Sequence, residues 1–321
     1  MPRARTRECR RGNRDTSIPY LRKRRDYTAG VKRKLAAGIL AYFVLALWAC
    51  SAQEANHFTV AGRDVAVWRP LGTAPAIGHP LILFSHGFGG CNTQSLFLMQ
   101  ALAKAGYLVL APNHRDARCG SAQHKNEGMH KPEAPFRDAE KWSDATYRDR
   151  RDDMEAVLNA VLAAKAFAGI PVDASHVGIA GHSLGGYTVL GLVGGWASWK
   201  DPRIKAALAL SPHCSPFVAK GDLGTMNVPL MYQGGTRDLG ESPLVRKPGG
   251  AYERTSKPKF YVEFEGAGHF AWTNLNRRYQ TSIEAYGVAF FDAYLKGEMK
   301  RLSQLMGSGR PKEVSDLRAA R

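Results

Sequence analysis

Apolar positions along the chain follow two rhythms. Over residues 57–68, Phe58, Val60, Val65 and Val67 alternate with other residues, which predicts a short antiparallel hairpin turning at Gly62. Beyond it the alternation gives way to unbroken apolar runs at 80–84, 107–110, 176–180, 206–210, 229–232 and 260–262, each bounded by Gly, Pro or Ser. Short runs without alternation suit strands covered on both faces, so they predict a parallel sheet. Helical spacing falls between them. Met154, Val157, Leu158, Val161 and Leu162 mark one buried helix face, and Ile283, Tyr286, Phe290 and Tyr294 mark another. Strand and helix alternate, so the expected fold class is α/β, a mostly parallel sheet with helices on both faces.

Residues 113–148 break this rhythm. They are rich in charge, His and Gly and show no period, which fits a lid loop over a functional site or a disordered segment. After Gly297 the chain becomes rich in Lys, Arg and Ser with a break at Gly307-Ser308-Gly309. The folded domain is therefore expected to span 53–300, with 301–321 a solvated polar tail.

Composition narrows the class. With 44% hydrophobic and 23% charged residues in 321, collagen-like, coiled-coil and low-complexity chains are excluded. The net charge of +17 is concentrated at one end, because residues 1–34 hold 13 Lys+Arg against 3 Asp+Glu. No helix-turn-helix, zinc-finger or RNA-binding signature accompanies it, so nucleic acid is not an expected partner.

Directly after this basic arm, Leu35 to Trp48 form 14 residues without charge, short of the about 20 needed to span a bilayer. Basic residues, a short apolar core and then Ala49, Ser51 and Ala52 read as a secretory signal over 35–52, with export to the periplasm or beyond. A retained signal anchor is the alternative. Cys50 lies where a lipoprotein would be acylated, although Trp48 departs from that pattern, and Val31 would make a conventional signal start. Of five cysteines, Cys91, Cys119 and Cys214 fall in the folded domain. An oxidising destination predicts one disulfide and one free thiol, with Cys91 and Cys119, each just beyond a predicted strand, as the pair; three buried thiols are the alternative.

The candidate chemistry centres on Gly181-His182-Ser183-Leu184-Gly185-Gly186, a G-x-S-x-G turn between the strand at 176–180 and a following apolar helix. Small residues on either side let strand and helix approach while Ser183 projects as a nucleophile. A serine hydroxyl needs a base within hydrogen-bond reach and a third group to orient that base. The strand at 229–232 leads into Thr236-Arg237-Asp238 and the strand at 260–264 into Gly266-Ala267-Gly268-His269. Asp238 and His269 are the candidate acid and base, in the chain order such elbows use, with Asp222 in reserve. An oxyanion needs backbone donors, for which Leu184 and Phe88 are the candidates and Gly87 the runner-up. His86, Gly87 and Trp272 are expected to face substrate, together with the 113–148 loop and residues 211–217. No HExxH or paired-Cys spacing calls for zinc, and no metal or organic cofactor is expected.

HGFGG, APNHRD, GHSLGG, GTRD and GAGH, in this order, resemble the α/β-hydrolase superfamily. They are most similar to its dienelactone-hydrolase-like and platelet-activating-factor-acetylhydrolase-like esterases. The resemblance implies an eight-stranded sheet and carboxylic ester hydrolysis through an acyl-serine. Dienelactone hydrolases use Cys as nucleophile where this chain has Ser183. The expectation is an exported serine esterase acting on a small-molecule, lipid or polyester ester. A peptidase or acyltransferase would share every catalytic part, and a non-catalytic binding protein of the same fold is the rival from another class.

Overall fold

The computed structural model describes residues 54–118 and 131–321. The basic arm, the apolar segment at 35–52, Cys50 and Cys119 lie outside them. Ten strands are present among the described residues: β1 (Asn56–Val60), β2 (Arg63–Trp68), β3 (His79–Ser85), β4 (Leu108–Pro112), β5 (Ala166–Phe167), β6 (Ile170–His182), β7 (Ile204–Leu210), β8 (Leu230–Gly235), β9 (Lys259–Phe264) and β10 (Val314–Ala320). Their order across the sheet is β1-β2-β4-β3-β6-β7-β8-β9-β10, with the two-residue β5 pairing β6 at its side. From β4 to β9 every neighbouring pair is parallel, while β1, β2 and β10 run antiparallel at the edges.

The apolar runs become strands because both faces are covered. On one face lie helices α1 (Leu96–Lys104), α7 (Gln280–Leu295) and α8 (Met299–Leu305), and their Leu98, Phe290 and Leu302 join one core layer. On the other lie α2 (Arg148–Ala163), α3 (Leu184–Leu190) and α4 (Ser215–Ala219), which contribute Met154, Tyr187 and Phe217 to a second layer. Two short helices, α5 (Ser242–Arg246) and α6 (Ala251–Arg254), complete that side.

The structure corrects two expectations. The sheet has ten strands rather than eight, and residues 301–321 are not a solvated tail. Residues of α8 pack on α7, and β10 pairs antiparallel with β9, covering an edge that would otherwise expose unpaired N–H and C=O groups. A register shift between Val314 and Asp316 interrupts the two-residue alternation by which such a strand is recognised, and its charges are used locally, Arg318 pairing with Asp316 at 2.7 Å. The described part of 113–148 is also packed: Trp142 is fully buried and donates its indole N–H to Pro135 O at 2.9 Å, beside buried Tyr147 and Ala134. The parallel strands end together at Ser85, His182, Leu210, Gly235 and Phe264, and the loops leaving these ends gather the candidate site residues.

Candidate active site

Ser183 occupies the single residue between β6 and α3, with φ 55° and ψ −116°. For a residue with a Cβ this is a strained conformation costing about 1–3 kcal/mol, held only because strand and helix are packed around it. The glycines make that packing feasible. A Cβ on Gly185 would overlap the Ser85 carbonyl, and one on Gly181 would overlap Gly185 itself. The turn is pinned by Ser183 N–H donating to Leu210 O at 3.0 Å and by Ser183 O accepting from His213 N–H at 2.9 Å.

Ser183 Oγ lies 2.8 Å from His269 Nε2. On the far side of the ring, Nδ1 is 3.1 Å from Asp238 Oδ1 and 2.9 Å from Ser211 Oγ. The Ser211 hydroxyl donates to Asp238 Oδ2 at 2.6 Å, so its lone pair and the carboxylate both receive the Nδ1 proton, leaving the Nε2 lone pair toward Ser183. Ser242 Oγ donates to the same Oδ2 at 2.7 Å. Asp238 is 2% exposed. Burial would push its carboxyl up, but the hydrogen bonds from His269, Ser211 and Ser242 prevail and hold it below the usual aspartate value. Such a row can pass the serine proton to the imidazole while the carboxylate stays ionised. Asp222 does not take part, since its carboxylate accepts from Gly224 N–H on a separate turn. Ser211, itself at φ 43°, departs from the expectation that residues 211–217 face substrate: it is fully buried behind the base.

The loop after β3 presents its amides selectively. Gly87 N–H donates to Gln94 Oε1 and Gly89 N–H to Asp116 Oδ2, both at 3.0 Å, whereas among the described residues neither Phe88 N–H nor Leu184 N–H has a partner. Beneath the loop, Arg150 is fully buried and donates to His86 O at 2.7 Å and Gly87 O at 3.3 Å. Its guanidinium forks onto Asp116, at 2.8 Å to each carboxylate oxygen. Burial would raise the Asp116 carboxyl, but Arg150 overrides it and holds it at about 2. Carbonyls drawn down to a buried cation leave neighbouring amides free on the opposite side. Arg150 carried a signal in the sequence, an arginine four residues before Met154 on an otherwise apolar helix face. Asp116 closes the APNHRD motif, whereas Gln94 and Ser242 carried no signal.

A cleft of about 590 Å³ opens over Ser183 and His269, lined largely by apolar groups including Phe88, Phe136, Phe270 and Leu275. Gly87 borders it. His86 and Trp272 do not, which corrects their expected contact with substrate. His86 is fully buried, accepts from His114 N–H through Nε2 at 3.1 Å and faces Gly87 O through Nδ1 at 2.8 Å. Desolvation, with Arg150 next, keeps its ring neutral. Trp272 is also fully buried and donates its indole N–H to Gln233 at 3.0 Å, filling the layer under the loop. Of the cysteines, Cys214 is a free buried thiol and Cys91 is disulfide-bonded; Cys119 lies outside the described residues. Among the described residues no group of three or more His, Cys, Asp or Glu could hold a metal ion.

Residues 36–160 match the family model described as platelet-activating factor acetylhydrolase, isoform II. The match takes in the loop of Phe88 together with Asp116 and Arg150, and stops before Ser183. Over this part the chain is similar to a family of ester-acting hydrolases of the serine-esterase type, and the mixed α/β architecture with its mostly parallel sheet is consistent with that similarity.

Proposed function

We propose that this chain hydrolyses carboxylic esters in two steps through an acyl-serine. Ser183 Oγ attacks the ester carbonyl as His269 Nε2 takes its proton. The amides of Phe88 and Leu184 receive the oxyanion, and His269 returns the proton to the departing alkoxide. Water then attacks the acyl-serine with His269 again as base, and the acid leaves. Asp238 orients the ring and steadies its positive charge; removing such an arrangement member commonly costs several orders of magnitude in rate. The observation that carries the reading is the 2.8 Å approach of Ser183 Oγ to His269 Nε2 at a strained turn.

The matched family's name points to a short acyl group on a lipid alcohol. In support of a lipid or polyester substrate, exposed apolar side chains gather at the cleft: Phe270 (60% exposed) and Leu275 (82%) line it, and Leu239 (79%) stands two residues before Glu241, which also lines it. Export through the 35–52 segment belongs to the same reading. It is supported by the disulfide at Cys91, a bond that persists in oxidising compartments.

The test is a fluorophosphonate probe with a panel of p-nitrophenyl esters of graded acyl length and matched anilides. Labelling and ester turnover that both vanish in Ser183→Ala, with shorter acyl chains preferred, are expected. An unlabelled folded protein overturns the reading in favour of a binding module, and faster anilide cleavage overturns it in favour of a peptidase.

A further inference from the structure

The loop carrying Phe88 leaves β3, and the loop carrying His269 leaves β9, with three strands between them. Two side chains that take no part in the two-step reaction join them. Gln94 accepts the Gly87 N–H through Oε1 at 3.0 Å, and its Nε2 lies 2.8 Å from Nδ1 of His182. Nε2 of His182 lies 2.8 Å from the backbone oxygen of His269.

The direction of this chain is forced. A backbone N–H only donates, so Gln94 turns its oxygen to Gly87 and its NH2 to His182. Nδ1 of His182 therefore accepts, the ring's single proton sits on Nε2, and Nε2–H donates to the His269 carbonyl. Every donor meets an acceptor, provided that His182 is neutral. Its burial, with the nearby His269 second, pushes it down to about 3, so the ring is neutral wherever the protein is folded near pH 7.

The glycines of the loop make room for this carboxamide. A Cβ on Gly90 would overlap Gln94 Oε1, and one on Gly87 would sit 3.2 Å from His182 Nδ1 and 3.3 Å from Gln94 Oε1. Around it the two segments are laced directly. Asn274 N–H donates to Gln94 O at 2.9 Å, Asn274 Nδ2 to Thr93 O at 2.7 Å, and Ser95 Oγ to Trp272 O at 2.6 Å.

We infer that Gln94 and His182 are positioning residues that lock the loop of Phe88 to the backbone of His269, so that the oxyanion amide and the base are presented to Ser183 in one fixed geometry. Both border the cleft, but their hydrogen bonds go to Gly87 N–H, to each other and to the His269 carbonyl rather than to Ser183 Oγ or the His269 ring, so they act through Gly87 and His269. The inference rests on the ester-hydrolase reading above. Displacement of a reacting group by about 1 Å can cost on the order of 100-fold in rate, so a lost brace should be visible in turnover rather than in binding.

Gln94→Met removes both hydrogen bonds at similar length, and Gln94→Glu keeps an acceptor for Gly87 while asking Nδ1 of His182 for a proton it does not carry at neutral pH. At acid pH, where carboxyl and imidazole share one proton, all three links can form again. For Gln94→Met we expect kcat on p-nitrophenyl acetate to fall roughly 10- to 100-fold with KM within about threefold, and the affinity of a boronic-acid transition-state analogue to fall in proportion. For Gln94→Glu, activity relative to the unaltered chain should recover as pH is lowered, a response that a merely structural role would not give. Wild-type kcat and analogue affinity in Gln94→Met overturn the inference. Should that variant fail to fold, Gln94→Glu decides: acid recovery supports the brace and a pH-independent loss overturns it. Ser183→Ala is assayed alongside. If it retains hydrolysis, the esterase reading falls and the brace with it; if it is inert while Gln94→Met runs at full rate, only the brace falls.

Discussion

Arg150 and Asp116 face each other at 2.8 Å directly beneath the loop that carries Phe88, with the arginine side chain fully buried and the aspartate 8% exposed. Because the guanidinium also holds the carbonyls of His86 and Gly87, this pair sets which way the loop's amides point. Removing one partner of a buried pair strands the other charge, at a cost of about 3–5 kcal/mol. Arg150→Met should therefore lower the unfolding free energy obtained from urea titration by that much and reduce kcat even in protein that remains folded. An unfolding free energy within about 1 kcal/mol of the original would mean the site is wetter than its burial indicates.

Ser211→Ala tests the support behind the base. The hydroxyl donates to Asp238 and accepts from His269, and a hydrogen bond to a buried carboxylate contributes about 1.5–3 kcal/mol. The Asp238 carboxyl is held below its unfolded value, so the stabilisation is present above about pH 4 and lost as pH falls through the folded value. Urea titrations should show the deficit of Ser211→Ala at pH 7 and its progressive decline as pH falls below the unfolded aspartate value of about 4. A deficit that does not change with pH would assign it to packing.

His182 gives a signature of its own. Its folded value is about 3 against about 6.5 when unfolded. Between these two, the unfolded chain binds a proton that the folded chain refuses, so stability falls by about 1.4 kcal/mol for each pH unit of acidification. His86 and His114, also buried and lowered, act in the same sense. Unfolding free energies measured from pH 7 to pH 5 should slope accordingly, and His182→Gln should flatten the slope by one proton. A profile unchanged by that substitution would falsify the buried neutral ring.

Cys91 is disulfide-bonded, and we propose Cys119 as its partner. Arg118 N–H donates to Gly90 O at 2.9 Å, which brings the residue before Cys119 beside the residue before Cys91. Peptide mapping without reductant should recover 91 linked to 119, and reduction should cost about 2–4 kcal/mol. A linked peptide containing Cys50 would identify the other partner.

Much of this molecule was legible residue by residue. Unbroken apolar runs at 80–84 and 206–210 announce strands covered on both faces, and the glycines flanking Ser183 announce a turn that only such residues permit, because these signals lie within a few positions of the structures they specify. The strand at Val314–Ala320 escaped for a local reason, a bulge that broke its alternation. What only the tertiary structure decided are the contacts between distant segments. That Ser211 stands behind His269, that Arg150 reaches the carbonyls of His86 and Gly87, and that Gln94 spans to His182 depend on where β3, β6, β7 and β9 bring their ends together. A short stretch of polypeptide encodes its own backbone preference, whereas the partner of a buried polar group is selected by the packing of the whole sheet.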